Sequence, residues 1–262
     1  MSWDWYQLLP TRADEFKWIY GRTPLSNMWV LYGSWLLYFG GVIYVRWIMA
    51  ERRRIDRGHP FIVIYNGSML LTHFCVWTTG AWTMYHHLDI SFFDYHCHPY
   101  QLRGRFFYGI FACYLLRYCT FLDTLVLVLR KKPIQFLHWY QHMFAPLILW
   151  SWLDDQSIFG GAAIIIMSLV LVARYAYYFC LSLSCGPHVQ TTLKVLVIMT
   201  ESVQTAAGLF LTAYQRVHCP QSSSVLLSAC INITIASIAI TYDQKPTAPV
   251  TRLRRKSMAQ LD

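Results

Sequence analysis

Seven stretches of the chain are almost continuously apolar: Met28 to Met49, Phe61 to Tyr85, Phe106 to Leu129, Ile134 to Leu153, Gly160 to Ser184, Thr191 to Tyr214 and Val225 to Tyr242. Each approaches the roughly 20 residues that a helix needs to cross about 30 Å of hydrocarbon. Lipid offers no partner to a backbone N–H or C=O, so a span of this length satisfies itself as a helix; barrel strands are about ten residues long and alternate. The pattern predicts an all-α, multi-pass membrane protein with seven transmembrane helices. Residues 1–27 read as an N-terminal interfacial segment, 28–243 as the membrane domain and 244–262 as a basic tail.

Composition agrees. Of the 262 residues, 56% are hydrophobic and 13% charged, against roughly 25% charged in soluble domains. The formal charge of +9 does not point to nucleic acid, because the basic residues gather in short loops. Arg52, Arg53, Arg54 and Arg57 follow the first span, Arg130, Lys131 and Lys132 the third, and Arg252, Arg254, Arg255 and Lys256 the seventh. The opposite loops hold only Arg103, Arg105 and Arg216, so the positive-inside rule places the N-terminus outside and the C-terminus in the cytosol or its equivalent. The first 27 residues have no signal-peptide core, and Trp3, Trp5, Tyr6, Trp18 and Tyr20 suit the membrane interface. Cys97 and Cys219 fall in outer loops, where an oxidising lumen would permit a disulfide and a reducing space would leave two thiols.

Polar residues inside the spans are the informative ones, since ionisable groups at membrane depth are costly. Arg117, Thr120, Asp123 and Thr124 climb one side of the third span at helical spacing. His138, Gln141 and His142 share a face of the fourth, Leu171, Arg174, Tyr175 and Tyr178 of the fifth, and Glu201 and Gln204 of the sixth. Four successive stripes predict a common polar interior. His138 and His142 alone do not make a metal site, because His86, His87, His96 and His98 belong to the opposite side of the bilayer. No inverted repeat or broken helix suggests a transporter.

These residues also resemble a family. RYCTFLDTLVLVLRKK from Arg117 to Lys132 and IQFLHWYQH from Ile134 to His142 are similar to the K-x-x-E-x-L-D-T, L-R-K-K and F-L-H-x-x-H-H motifs of the ELO fatty-acid elongases. RYAYY from Arg174 to Tyr178 resembles the end of that family's N-x-x-V-H-x-x-M-Y-x-Y-Y segment, and Tyr65 with Asn66 its second-helix Tyr-Asn. The resemblance implies six helices around a narrow acyl tunnel and condensation of malonyl-CoA with an acyl-CoA in the endoplasmic reticulum. It implies no metal or organic cofactor, and membrane lipids or an acyl chain as partners. It also gives Arg130, Lys131 and Lys132 a role in attracting CoA phosphates, and places Asp123, Tyr175, Tyr178 and Gln204 among the substrate-binding residues.

The departures shape the functional expectation. Two histidines of the box are kept as His138 and His142, but Gln141 stands at the middle one and Leu171 at the fifth-helix histidine. Thr120 replaces the third-helix glutamate, and Met167 an asparagine. Neither an amide nor an aliphatic side chain can serve as base or acyl acceptor. Arg174 and Glu201 replace a methionine and a threonine, which predicts a structural ion pair between the fifth and sixth helices. The expectation is a catalytically degenerate elongase relative, acting as a lipid-binding or structural subunit beside other membrane proteins. The alternative is an active elongase that uses His138 or His142 as base and Gln141 to hold the thioester. The family resides in the endoplasmic reticulum, while a tail without a dilysine signal leaves another membrane open, such as the mitochondrial inner membrane.

Overall fold

The computed structural model describes residues 15–87, 104–155, 159–218 and 227–234. Among these the secondary structure is helical, with no strand: α1 (Met28–Met49), α2 (Pro60–His87), α3 (Arg105–Cys119), α4 (Phe121–Leu129), α5 (Phe136–Asp154), α6 (Phe159–Ser182) and α7 (Pro187–His218). Residues 227–234 are also helical, and the rest of the seventh expected span lies outside the described residues. So do Cys97, Cys219 and the basic tail.

Five helical segments are long and apolar enough to cross a membrane: α1, α2, α3 with α4, α6 and α7. The third expected span is therefore one crossing with a break at Thr120. Its hydroxyl donates to the Arg117 carbonyl at 2.7 Å, and the Asp123 N–H reaches back only three residues, to the Thr120 carbonyl at 3.0 Å. A serine or threonine that back-bonds in this way bends a helix. The α5 helix has 19 residues, but His138, Gln141, His142, its three tryptophans and Tyr140 leave it less apolar. Pro146 within it has no N–H to offer the His142 carbonyl, four residues earlier.

The bundle is turned out as membrane proteins are. On α1, Trp29, Leu36, Leu37 and Trp47 are each about three-quarters exposed, while Asn66, His73, Thr124, His142 and Ser182 are buried. The α6 helix is central and packs against α2, α7, α3 and α5. Gly67 lets α2 approach α6 closely, since a Cβ there would stand 3.0 Å from the Phe179 ring. Between α3 and α5 lies the main core, built on Phe107, Phe111, Tyr114, Leu149, Trp152 and Leu153. The segment before α1 joins it. Phe16 stacks on Phe111 with ring centroids 5.2 Å apart, and the buried Trp18 donates its indole N–H to Asp154 Oδ1 at 3.3 Å. Trp18 is thus a core residue rather than an interfacial one, whereas Tyr20 stays 54% exposed.

The two described basic loops meet at one end of the bundle. Ile55 N–H donates to the Leu129 carbonyl at 3.0 Å, and Lys131 Nζ donates to the Ala50 carbonyl at 3.1 Å. Lys131 has φ 52°. Its N–H and that of Lys132 bond back to Val128 and Leu127, which closes α4 with a left-handed residue where glycine is the unstrained choice.

Candidate functional site

The break at Thr120 aims Asp123 into the middle of the bundle. Tyr65 of α2 donates its hydroxyl to Asp123 Oδ1 at 2.8 Å, and Tyr175 of α6 donates to Oδ2 at 2.8 Å. One carboxylate thus ties three helices with charge-assisted hydrogen bonds. His142 of α5 places Nε2 at 3.9 Å from the same Oδ2, beyond hydrogen-bond reach but close enough to orient the imidazole. Its Nδ1 is buried and has no hydrogen-bond partner.

One turn earlier on α5, His138 shares a hydrogen bond between Nε2 and Thr124 Oγ1 at 2.8 Å, and Thr124 bonds in turn to the Tyr38 hydroxyl of α1 at 2.7 Å. The two imidazole rings lie 4.2 Å apart, centroid to centroid. Spacing by four on one helix brings them together. Among the described residues no three His, Cys, Asp or Glu side chains gather as a metal set. Arg174 of α6 donates from Nη2 to Glu201 Oε1 of α7 at 2.6 Å.

Two small cavities meet at this centre. One, of ≈ 110 Å³, is lined by Arg117, Asp123, Gln141, His142, Arg174 and Gln204, and continues along Ile148, Trp152, Met167 and Leu171. The other, of ≈ 100 Å³, runs from Asp123, His138, His142 and Arg174 past Asn66, Tyr178 and Ser182 to Arg57 and Arg130. Asp123, His142 and Arg174 line both. The result is a basic end, a polar waist and an apolar end. At the basic end Asn66 donates to Ser182 Oγ at 2.8 Å. Burial and the neighbouring Arg57 both lower the pKa of the Arg130 guanidinium from its ordinary value.

The sequence candidates divide accordingly. Arg130 lines the basic cavity, while Lys131 is turned to the end of α1, and the exposed Lys132 lines neither cavity. Arg57 stands where a second cation was sought. Tyr175 holds Asp123, Tyr178 and Gln204 line cavity walls, and Gln141 lines the inner cavity. Leu171 is buried against Tyr65, Met69 and Tyr175 and reaches the inner cavity as well.

His73 escaped the sequence reading. It lies on α2, 2% exposed, and its ring stacks on Tyr175 at 5.4 Å and 8°. Neither ring nitrogen has a partner. The signal was present, since Asn66 and His73 are seven residues apart and share a face of the second span.

A multi-helix membrane protein with a carboxylate and two imidazoles at its waist is the class that this geometry defines. The sequence profile described as ELO: GNS1/SUR4 family matches residues 23–241, and the chain belongs to that family. It is 28% identical over 211 residues to fatty acid elongase sre1 of Dictyostelium discoideum, covering 76% of this chain and 74% of that one. A putative fatty acid elongase 1 of Schizosaccharomyces pombe is 29% identical over 67% of this chain and 52% of its own length. Very long chain fatty acid elongase 4 of Trypanosoma cruzi is 28% identical over 68% of this chain and 62% of its own. The matched region thus spans three-quarters of one relative and little more than half of others.

Proposed function

We propose that this protein is a member of the elongase family that holds an acyl chain in its interior without condensing it, as a lipid-binding subunit of an assembly in the endoplasmic reticulum membrane. One observation carries the reading: Gln141 and Leu171, at two of the places where the family pattern has histidine, both line the inner cavity. An amide there can donate to a carbonyl, and a leucine can pack against methylenes, but neither can take a proton or an acyl group. The ion pair of Arg174 with Glu201 adds to this, since it fixes one wall of the waist with a side chain longer than the methionine of the family pattern. Purified protein incubated with radiolabelled malonyl-CoA and a long-chain acyl-CoA is expected to give no 3-ketoacyl product, while binding the acyl ligand.

A second reading has its own observation. His142 lines the cavity with Nε2 3.9 Å from Asp123 and Nδ1 without a partner, and a small shift would let the carboxylate orient it as an imidazole base. On that reading the same assay yields product, and His142→Ala abolishes it. Turnover of that kind overturns the proposal.

A further inference from the structure

We propose that Arg117 anchors the carboxylate of a fatty acid anion whose chain enters the apolar end of the inner cavity. The inference rests on the reading that the interior takes an acyl ligand, and it specifies that ligand as a free acid rather than a thioester.

Arg117 sits midway along the α3 and α4 crossing and lines the inner cavity. The interior carboxylates are already engaged. Asp123 accepts from Tyr65 and Tyr175, and Glu201 accepts from Arg174. Arg117 takes part in neither of the interior ion pairs, His142 with Asp123 and Arg174 with Glu201. Thr120, one turn along the same face, donates its hydroxyl to the Arg117 carbonyl and offers the guanidinium no charge. Asp123 shares this cavity with Arg117, but it accepts from two phenols and forms no ion pair with the guanidinium; a cation at membrane depth without a paired anion is a costly arrangement.

A second observation comes from the facing helix. His142 is 8% exposed and lines the same cavity, and its Nδ1 has no partner. Arg117 and His142 thus line one space, and among the described residues neither the guanidinium nor the imidazole Nδ1 has a hydrogen-bond partner. Asp123, Gln141, Arg174 and Gln204 add further polar groups to its lining, while Ile148, Trp152, Met167, Val170 and Leu171 supply an apolar part that suits methylenes.

Charge decides between acid and thioester. A carboxylate can accept two parallel N–H bonds from a guanidinium, and its charge balances that of Arg117; a thioester carbonyl offers one weak acceptor and no charge. The cavity's ≈ 110 Å³ is less than the roughly 150 Å³ that admits benzene. It therefore takes the carboxyl end and the first few carbons, with the remaining chain passing between the helices.

The test uses the full chain in phosphatidylcholine nanodiscs, with empty discs subtracted, and measures binding of radiolabelled palmitate, palmitate methyl ester and palmitoyl-CoA at a pH where the acid is ionised. Palmitate is expected to bind at least tenfold more tightly than its methyl ester. Arg117→Gln should erase that preference and leave ester binding unchanged, which also reports that the variant folds, and Arg117→Lys should keep part of it. Equal binding of acid and ester, or palmitate affinity unchanged in Arg117→Gln, overturns this inference while acyl binding itself stands. Binding of none of the three ligands overturns the acyl-binding reading and this inference together. Should Arg117→Gln fail to fold, the comparison of acid with ester in the unaltered protein decides alone.

Discussion

The cavity at the basic end and the cavity at the apolar end share Asp123, His142 and Arg174, yet their remaining walls are matched in opposite ways. Toward the basic end the polar groups find one another: Asn66 bonds to Ser182, and His138 to Thr124 and so to Tyr38. Toward the apolar end, Arg117 lines the cavity without an ion pair, and the buried Nδ1 of His142 has no hydrogen-bond partner. The first region is a completed network that fixes helix positions. The second is polar chemistry left open, and open polar groups in a hydrocarbon environment are where ligands bind.

Substitutions can break that contrast. The largest effect is expected at the shared carboxylate. Asp123→Ala strands the Tyr175 phenol, leaves Tyr65 only the longer bond to the Cys119 carbonyl, and should lower unfolding stability in detergent by about 3 kcal/mol. A loss below about 1 kcal/mol would mean that the carboxylate does not tie α2, α4 and α6 together. Next comes Ile148→Ala, on the apolar wall. An unfolded helix stays in lipid, so the transfer contribution cancels and only the added void counts, about 1–2 kcal/mol in the same unfolding measurement. A cost as large as at Asp123 would erase the distinction between the two regions. The smallest effect belongs to Arg174 and Glu201, whose side chains are 23% and 42% exposed. A double-mutant cycle with Arg174→Met and Glu201→Thr should return a coupling of about 1 kcal/mol, the scale of interhelical polar pairs in membranes.

Much of this was readable from the residues in order. The ends of α1 fall at Met28 and Met49, as expected, because its apolar run is bounded by Asn27, whose side chain accepts from the Trp29 N–H, and by the charged run that begins at Glu51. Asp123, Gln141, His142 and Arg174 stood out for the same reason that they matter: a polar group inside an apolar run has to be justified by a partner or a ligand. The family was equally legible, since its motifs survive in order.

Other features depended on three dimensions. Trp18 was placed at the interface because aromatics there and aromatics in a core look alike in one dimension, and only its stacking neighbours and Asp154 decide. Lys131 looked like a third cation at a mouth, but its left-handed backbone turns it to the end of α1. His73 was overlooked on an otherwise apolar helix. The break at Thr120 needed its side chain to choose its own helix over a neighbour.

The attachment of α1 carries a consequence for access. This helix packs against α4 and α5, and it reaches His138 through the phenol of Tyr38 by way of Thr124. Most of its circumference is exposed and apolar. A sideways displacement of α1 would break the bond of Tyr38 to Thr124, leave His138 held by Thr124 alone, and uncover the faces of α4 and α5 beside the waist.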